Sequence, residues 1–274
     1  MPSHNRIAAK FEELAKRGER ALICYVVAGY PDLRSCQRVT ESLVAGGADI
    51  IEIGIPFSDP IADGPTIQAA SNKALLRGAK PEDALQLAAR IRKKHPATPL
   101  LVMTYYNILH RAGVEEFMRV SKKNGVDGFI IPDLPVEEAD QFVAAASKLD
   151  LATVFLVSPN TPPERLERIL RNTSGFLYLV SVFGITGARD SFEDYTRNAV
   201  KNVKRAAGSK VPLAVGFGIS TPSHAKYMIN AGADAVIIGS AIVDKIARSN
   251  GMNHRMLRQL ETYARSMKKA CMMR

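Results

Sequence analysis

Two acids set the chemistry this chain could perform. Ile50-Ile51-Glu52-Ile53-Gly54 is an apolar run carrying a single carboxylate, and the turn Pro56-Phe57-Ser58-Asp59-Pro60 leads from it to a second acid, Asp63. A lone carboxylate inside an apolar strand costs several kcal/mol unless something compensates it. One compensation is an ion pair with a basic residue on the next strand. The other is a desolvated carboxyl with a raised pKa, serving as a general acid/base. The rigid Pro-rich loop just past the strand favours the second, because loops held by a scaffold are where sites are built. Two carboxylates in unlike surroundings can also divide acid work from base work. Asp63 equally suits a turn residue or an N-cap ahead of Pro65.

Late in the chain, Gly216-Phe217-Gly218-Ile219-Ser220 and Ile238-Gly239-Ser240-Ala241 each place glycine at the end of an apolar run. Glycine lets a backbone approach an anion closely, and Ser240 opens a helix whose free N–H groups favour a phosphate. Gly216 and Gly218 could instead only make a turn. The pattern is not a dinucleotide fingerprint, since the third glycine and a following acidic strand end are missing. Tyr105, Tyr178 and Phe217 fall at strand ends, where they could wall an aromatic substrate or simply pack. Residues Gly184 to Asp190, with two glycines, read either as a mobile lid or as a long surface loop.

The elements that must position these residues alternate regularly. Short apolar runs predict strands at Ala21–Ala28, Ile50–Gly54, Leu100–Thr104, Gly128–Ile131, Ala152–Val157, Phe176–Ser181, Leu213–Gly216 and Ala235–Ile238. Amphipathic segments predict helices at Arg6–Arg17, from Asp32 to Gly46, Pro65–Leu76, Pro81–Lys94, Val114–Asn124, Val136–Lys148, Pro163–Arg171, up to about Ala207, Thr221–Ala231, from Ser240, and Met256–Lys268. Strict alternation implies a parallel sheet covered by helices. Eight such units closing on themselves make a (β/α)8 TIM barrel with an N-terminal helix and extra short helices, one domain over residues 1–274. The chain also repeats a helix-end glycine, a turn aspartate and a buried strand, around Asp49, Asp127 and Asp234. That repeat favours a barrel over an open doubly wound sheet. In a barrel, catalytic groups sit at the C-terminal ends of the strands, which is where Glu52, Asp63 and the two glycine stretches fall.

Composition narrows the function further. No lysine lies in any expected strand, so a Schiff-base aldolase lacks its nucleophile. The five histidines are scattered and the three cysteines (Cys24, Cys36, Cys271) form neither a disulfide framework nor a metal knuckle, so no metal is expected. The net charge of +10 raises nucleic-acid binding, but the basic residues lie on amphipathic helices without interleaved aromatics, and a solvated surface that attracts an anionic substrate is the better account. No apolar run reaches the roughly 20 residues that span a bilayer, and the N-terminus lacks the apolar core of a signal peptide; a cytoplasmic location with no membrane or nucleic-acid partner is the expectation.

The stretch Glu52 to Gln68 resembles the signature of the tryptophan synthase α subunit family. Met103-Thr104-Tyr105-Tyr106-Asn107, Pro132-Asp133-Leu134-Pro135, Gly184-Ile185-Thr186-Gly187, Gly216-Phe217-Gly218-Ile219-Ser220 and Gly239-Ser240-Ala241-Ile242-Val243 follow in that family's order. The resemblance covers nearly the whole chain; the basic tail Lys268 to Arg274 matches no motif. It implies a lyase that cleaves indole-3-glycerol phosphate to indole and glyceraldehyde 3-phosphate. It also implies no cofactor in this chain and a β-subunit partner holding pyridoxal phosphate (PLP), in an α2β2 assembly. By the same resemblance Glu52 is the general acid/base, Asp63 faces the indole N–H, and Tyr178 lies beside the reacting atoms, with Tyr105 as a further substrate contact. Thr186 closes on Asp63, Gly187, Phe217, Gly218, Gly239 and Ser240 hold phosphate, and Asp59 faces the partner. Two alternatives remain at this point. Another phosphate-binding barrel, such as a phosphoribosylanthranilate isomerase, would need Cys24 as its acid/base. A non-catalytic chain would only activate a β subunit.

Overall fold

Eight short apolar runs become strands because each is too short for a helix and too apolar to leave in water. They are β1 (Ala21–Val27), β2 (Ile50–Gly54), β3 (Leu100–Met103), β4 (Gly128–Ile130), β5 (Ala152–Val157), β6 (Leu177–Val180), β7 (Leu213–Gly216) and β8 (Ala235–Ile238). The structure is a computed structural model that describes residues 5–180, 189–208, 210–216, 218–249 and 251–272. Each strand pairs in parallel with the next, and β8 returns to β1 in the register Ala21↔Ala235 to Cys24↔Ile238. That last pairing closes the sheet into a barrel and excludes the open alternative. Helices α1 (Arg6–Lys16), α2 (Leu33–Ala45), α3 (Pro65–Leu76), α4 (Pro81–Lys94), α5 (Tyr106–Ala112) and α6 (Val114–Lys123) lie in the first half. α7 (Asp140–Lys148), α8 (Pro163–Asn172), α9 (Arg189–Ala207), α10 (Pro222–Ala231), α11 (Ser240–Ala247) and α12 (His254–Ala270) follow. The architecture is a (β/α)8 TIM barrel with additional helices.

Strand parity splits the core in two. One set of side chains, among them Leu22, Ile51, Ile53 and Val102, packs outward against the helices. The other, including Ile23, Ile50, Leu101, Val154 and Ile237, fills the barrel interior together with Ile7, Phe11 and Leu14 of α1. Phe11 meets Phe176 at 5.8 Å between ring centroids. The N-terminal helix therefore stoppers the end of the barrel where the strands begin, and the opposite end is left for a site.

The thrice-repeated aspartate acts at that stoppered end. The Oδ2 atoms of Asp49, Asp127 and Asp234 accept the backbone N–H of Leu22, Leu100 and Leu213, each at 2.8 Å. The N–H of each aspartate donates back to the carbonyl of the same leucine. A base neutralises each carboxylate: Lys268 on Asp49, Arg92 and Arg6 on Asp127, and Lys204 on Asp234. The tail that matched no motif supplies the first of these. Lys268 turns inward against Asp49 and Glu19, and the carbonyl of Cys271 accepts the Arg20 N–H.

Several boundaries differ from expectation. The stretch between the expected third strand and the helix from Val114 carries no expected element, yet it forms α5, whose start at Tyr106 is held by Asp133, from the loop after β4, accepting the Tyr106 N–H at 2.8 Å. The segment Val136–Lys148 is not one helix: a 3₁₀ turn, Val136–Glu138, precedes α7, as first turns often wind. Phe176 lies outside β6, and Arg189 and Asp190 already belong to α9 rather than to a loop. The remainder of the expected lid, residues 184–188, lies outside the described residues.

Candidate active site

The open end of the barrel holds a cavity of about 510 Å³, a size that suits a small ligand. Glu52, Asp63, Tyr178, Gly218, Gly239 and Ser240 all reach it. Sequence positions 52 and 240 are thus brought to one chamber by the closure of β8 on β1 and of β1 on β2.

Glu52 points inward because β2 alternates: Ile51 and Ile53 belong to the outer core and Ile50 to the interior. It is 1 % exposed. No ion pair engages it among the described residues, and its Oε2 atom is buried without a hydrogen-bond partner. Burial raises its pKa to about 8, with the nearby charge of Asp63 as a second cause. The ion-pair alternative is therefore set aside, and a desolvated carboxyl that stays protonated at neutral pH stands in its place.

Asp63 sits across the cavity on the loop after β2. It does not cap α3; Gly64 occupies that position. Its Oδ2 accepts the Tyr105 hydroxyl at 3.0 Å, and that hydroxyl in turn accepts the Ala62 N–H at 3.1 Å. The Asp63 carbonyl accepts Gln68 Nε2 at 2.7 Å, and its N–H donates to the Pro60 carbonyl. Burial raises the carboxyl to about 6, against the opposing effect of the Tyr105 hydrogen bond. Near pH 7 the two acids thus hold different states: Glu52 is protonated and Asp63 is ionised.

Tyr105 stands behind Asp63, stacked on Phe57 at 5.0 Å between ring centroids, and does not line the cavity among the described residues. Its geometry makes it a support of Asp63 rather than a wall for the ligand. Tyr178 does line the cavity, and Gly216 exists to admit it: any Cβ at 216 would overlap its phenol. On the same cavity, Gly218 has φ of +73°, and Gly239 precedes α11, whose start carries no side-chain cap. The first N–H groups of a helix that no side chain caps, together with the Ser240 hydroxyl, suit an anion. Thr186, Gly187 and Phe217 lie outside the described residues. Asp59 is exposed on the same loop as Asp63 and accepts the Ser58 hydroxyl at 2.5 Å; two residues on, Ile61 is 81 % exposed.

Reading the sequence alone missed Tyr25. It looks like an ordinary strand residue, yet it lines the cavity at the register of Glu52. The available signal was parity: Ala21 and Ile23 face the interior, so Tyr25 does too. Cys24 falls on the opposite parity and packs in the outer core, which removes the acid/base an isomerase reading needs. Among the described residues no three His, Cys, Asp or Glu side chains converge as a metal site would require.

Comparison with known proteins adds independent findings. A family model described as tryptophan synthase alpha chain matches residues 11–272. The tryptophan synthase alpha chain of Methanocaldococcus jannaschii is 47 % identical over 238 residues, 87 % of this chain and 83 % of that one. That of Gloeobacter violaceus is 44 % identical over 270 residues, covering 98 % and 96 % of the two chains. Among solved structures, tryptophan synthase subunit alpha from Legionella pneumophila superposes with a TM-score of 0.88 at 34 % identity, over 97 % of this chain and 98 % of that one. Tryptophan synthase from M. tuberculosis in an aminoacrylate-bound form superposes with a TM-score of 0.84 at 34 % identity, over 96 % and 99 %.

Proposed function

The chain belongs to the tryptophan synthase alpha chain family, and on that premise we propose that Glu52 and Asp63 carry the reaction across the cavity that the two glycine stretches close. The activity is the cleavage of indole-3-glycerol phosphate to indole and glyceraldehyde 3-phosphate in tryptophan biosynthesis. Protonated Glu52 gives its proton to the indole ring carbon that bears the glycerol chain. The ring tautomer so formed carries positive charge, which spreads to the ring N–H, where ionised Asp63 stabilises it. The carbon–carbon bond then breaks with its electron pair returning to the ring. The adjoining hydroxyl becomes the aldehyde carbonyl and its proton goes back to Glu52, which ends the cycle as it began.

The other residues support these two. Tyr105 fixes the Asp63 carboxylate, and Tyr178 flanks the reacting atoms. Gly218, Gly239 and Ser240 hold the phosphate at the start of α11. Gly187 and Phe217 join that cradle, and Thr186 meets Asp63, by their match to the family motif. Residues 1–274 act as one barrel domain. The family's alpha chain needs no cofactor of its own; PLP belongs to the β subunit. The partner is that β subunit in an α2β2 assembly, with Asp59 and its loop toward it; the exposure of Ile61 supports this choice of face. No helix among the described residues is long and apolar enough to cross a membrane. A cytoplasmic place of work is part of the proposal and suits a phosphorylated substrate.

The single observation that carries this reading is a buried carboxyl at the cavity with no cation paired to it among the described residues. Its test is Glu52→Gln, assayed for indole release alone and with a β subunit added. Loss of a general acid/base costs on the order of 10²–10⁴ in rate, so turnover should nearly vanish while substrate still binds. Turnover equal to wild type would overturn the assignment.

A further inference from the structure

We propose that the Tyr25 hydroxyl is a specificity contact for the glycerol segment of the substrate, donating a hydrogen bond to a chain hydroxyl between the phosphate and the bond that breaks. The proposal rests on the substrate reading above and adds to it a residue that reading does not use.

Position is the first argument. Tyr25 lines the cavity from β1, one strand from Glu52 on one side and one strand from Gly239 on the other. Its ring lies against Gly239, where an added Cβ would come within 3.2 Å of it, and its hydroxyl extends over Gly54, where any Cβ would overlap it. Glycines on two neighbouring strand ends thus clear space for one phenol. That phenol spans the distance from the anion cradle to the acid pair. The part of the substrate that bridges the same two places is its hydroxylated three-carbon chain.

The second argument concerns cost. Tyr25 is 7 % exposed and what remains open faces the cavity. Burial and its acidic neighbours affect the phenol, yet no hydrogen bond reaches it among the described residues. The Tyr25 hydroxyl is not among the enclosed polar atoms left without a partner, so it opens on the cavity. A ligand that fills the cavity covers it, and covering it costs free energy unless the ligand brings an acceptor. Phenylalanine would fill the same volume and make no such demand. Burial together with the charges of Glu52 and Asp63 drives the phenol pKa well up, so the group remains a donor wherever the enzyme works. Neither acid can be that acceptor as the side chains stand, since neither bonds to it.

Tyr25→Phe in the full chain tests this with probes that need no turnover. Titrations of wild type and variant with sn-glycerol 3-phosphate, inorganic phosphate and indole separate the three parts of the site. A neutral hydrogen bond lost from a dry site corresponds to about a tenfold change. Affinity for glycerol 3-phosphate should fall about tenfold, while affinities for phosphate and indole stay within twofold. KM for indole-3-glycerol phosphate should rise with little change in kcat. Unchanged glycerol 3-phosphate affinity would overturn the proposal. So would equal losses for all three probes, which mark a packing role, or a shifted alkaline limb of the pH profile with binding intact, which marks action on Glu52. A wild-type chain that binds none of the probes and no substrate would instead sink the substrate reading itself.

Discussion

Glu52 is held in a state that opposes folding. Its native pKa of about 8 lies above the ordinary 4.5. Between those values the unfolded chain releases a proton that the native chain keeps, so stability falls as pH rises through that window. At 1.36 kcal/mol per unit the loss by pH 7 is on the order of 3 kcal/mol. Glu52→Gln, lacking the titration, should raise the urea midpoint at pH 8 and show less decline from pH 5 to 8; a variant as pH-sensitive as wild type would contradict the burial argument. The same pair shapes activity. With Glu52 needed protonated and Asp63 ionised, kcat/KM should peak between limbs near 6 and 8. The substrate phosphate also titrates near 6, so the acidic limb is shared. The coupling is tested separately: in Asp63→Asn the negative charge that raises Glu52 is gone, and a carboxyl-labelled NMR titration should show the Glu52 pKa lower than in wild type. Glu52 was legible in the sequence because a carboxylate in an apolar run is out of place; Asp63, in a turn ahead of Pro65, read equally well as a cap, and its place at the cavity with Gly64 as the cap is what sets it apart. Tyr25 was not legible, because tyrosine is at home in any strand and only the closed geometry shows where its hydroxyl ends.

The elements were legible where a local signal sets them and obscure where a distant residue does. Asp32 caps α2 through Ser35 N–H, and Pro65 and Pro81 open their helices, all readable from neighbouring residues. The start of α5 depends on Asp133, 27 positions away, and nothing local announces it. Gly216 illustrates the same limit: its role is to clear Tyr178 on β6, the strand beside it, not to turn the chain. Gly216→Ala should displace the phenol, costing about 1–3 kcal/mol as overpacking does, and a double-mutant cycle with Tyr178→Leu should recover part of that loss. Simple additivity would mean the two positions do not compete for space. The aspartate ladder belongs to this scale as well. Asp127 is 2 % exposed and holds Leu100 N–H, Arg6 and Arg92. Asp127→Ala strands buried partners and should cost about 3–5 kcal/mol. At about 2–4 °C of Tm per kcal/mol the drop is readily seen by calorimetry. Because the ladder lies at the end of the barrel away from the cavity, KM at 25 °C should not move.

Over the whole molecule the barrel separates two tasks. The end where the strands begin is plugged by α1 and laced by the aspartates and the C-terminal Lys268; the end where they finish carries the cavity and its loops. Closure itself was legible through the triple repeat, but the tie between Lys268 and the start of β1 was not, since Lys268 opens a basic stretch that matches no motif. The loops at the open end also leave apolar surface uncovered. Ile61, 81 % exposed and two residues from both Asp59 and Asp63, has no fold-internal reason to be isoleucine. A β subunit seated on this loop would remove that side chain from water and at the same time press on the segment that carries Asp63, coupling assembly to the acid pair. Burying an isoleucine contributes about 1.5–3 kcal/mol, or roughly 10- to 100-fold in affinity. Ile61→Asp should therefore weaken association with the β subunit at least tenfold by titration calorimetry, while the isolated variant keeps its Tm and its affinity for inorganic phosphate. Undiminished association would place the partner on another face, and the link between assembly and Asp63 would go with it.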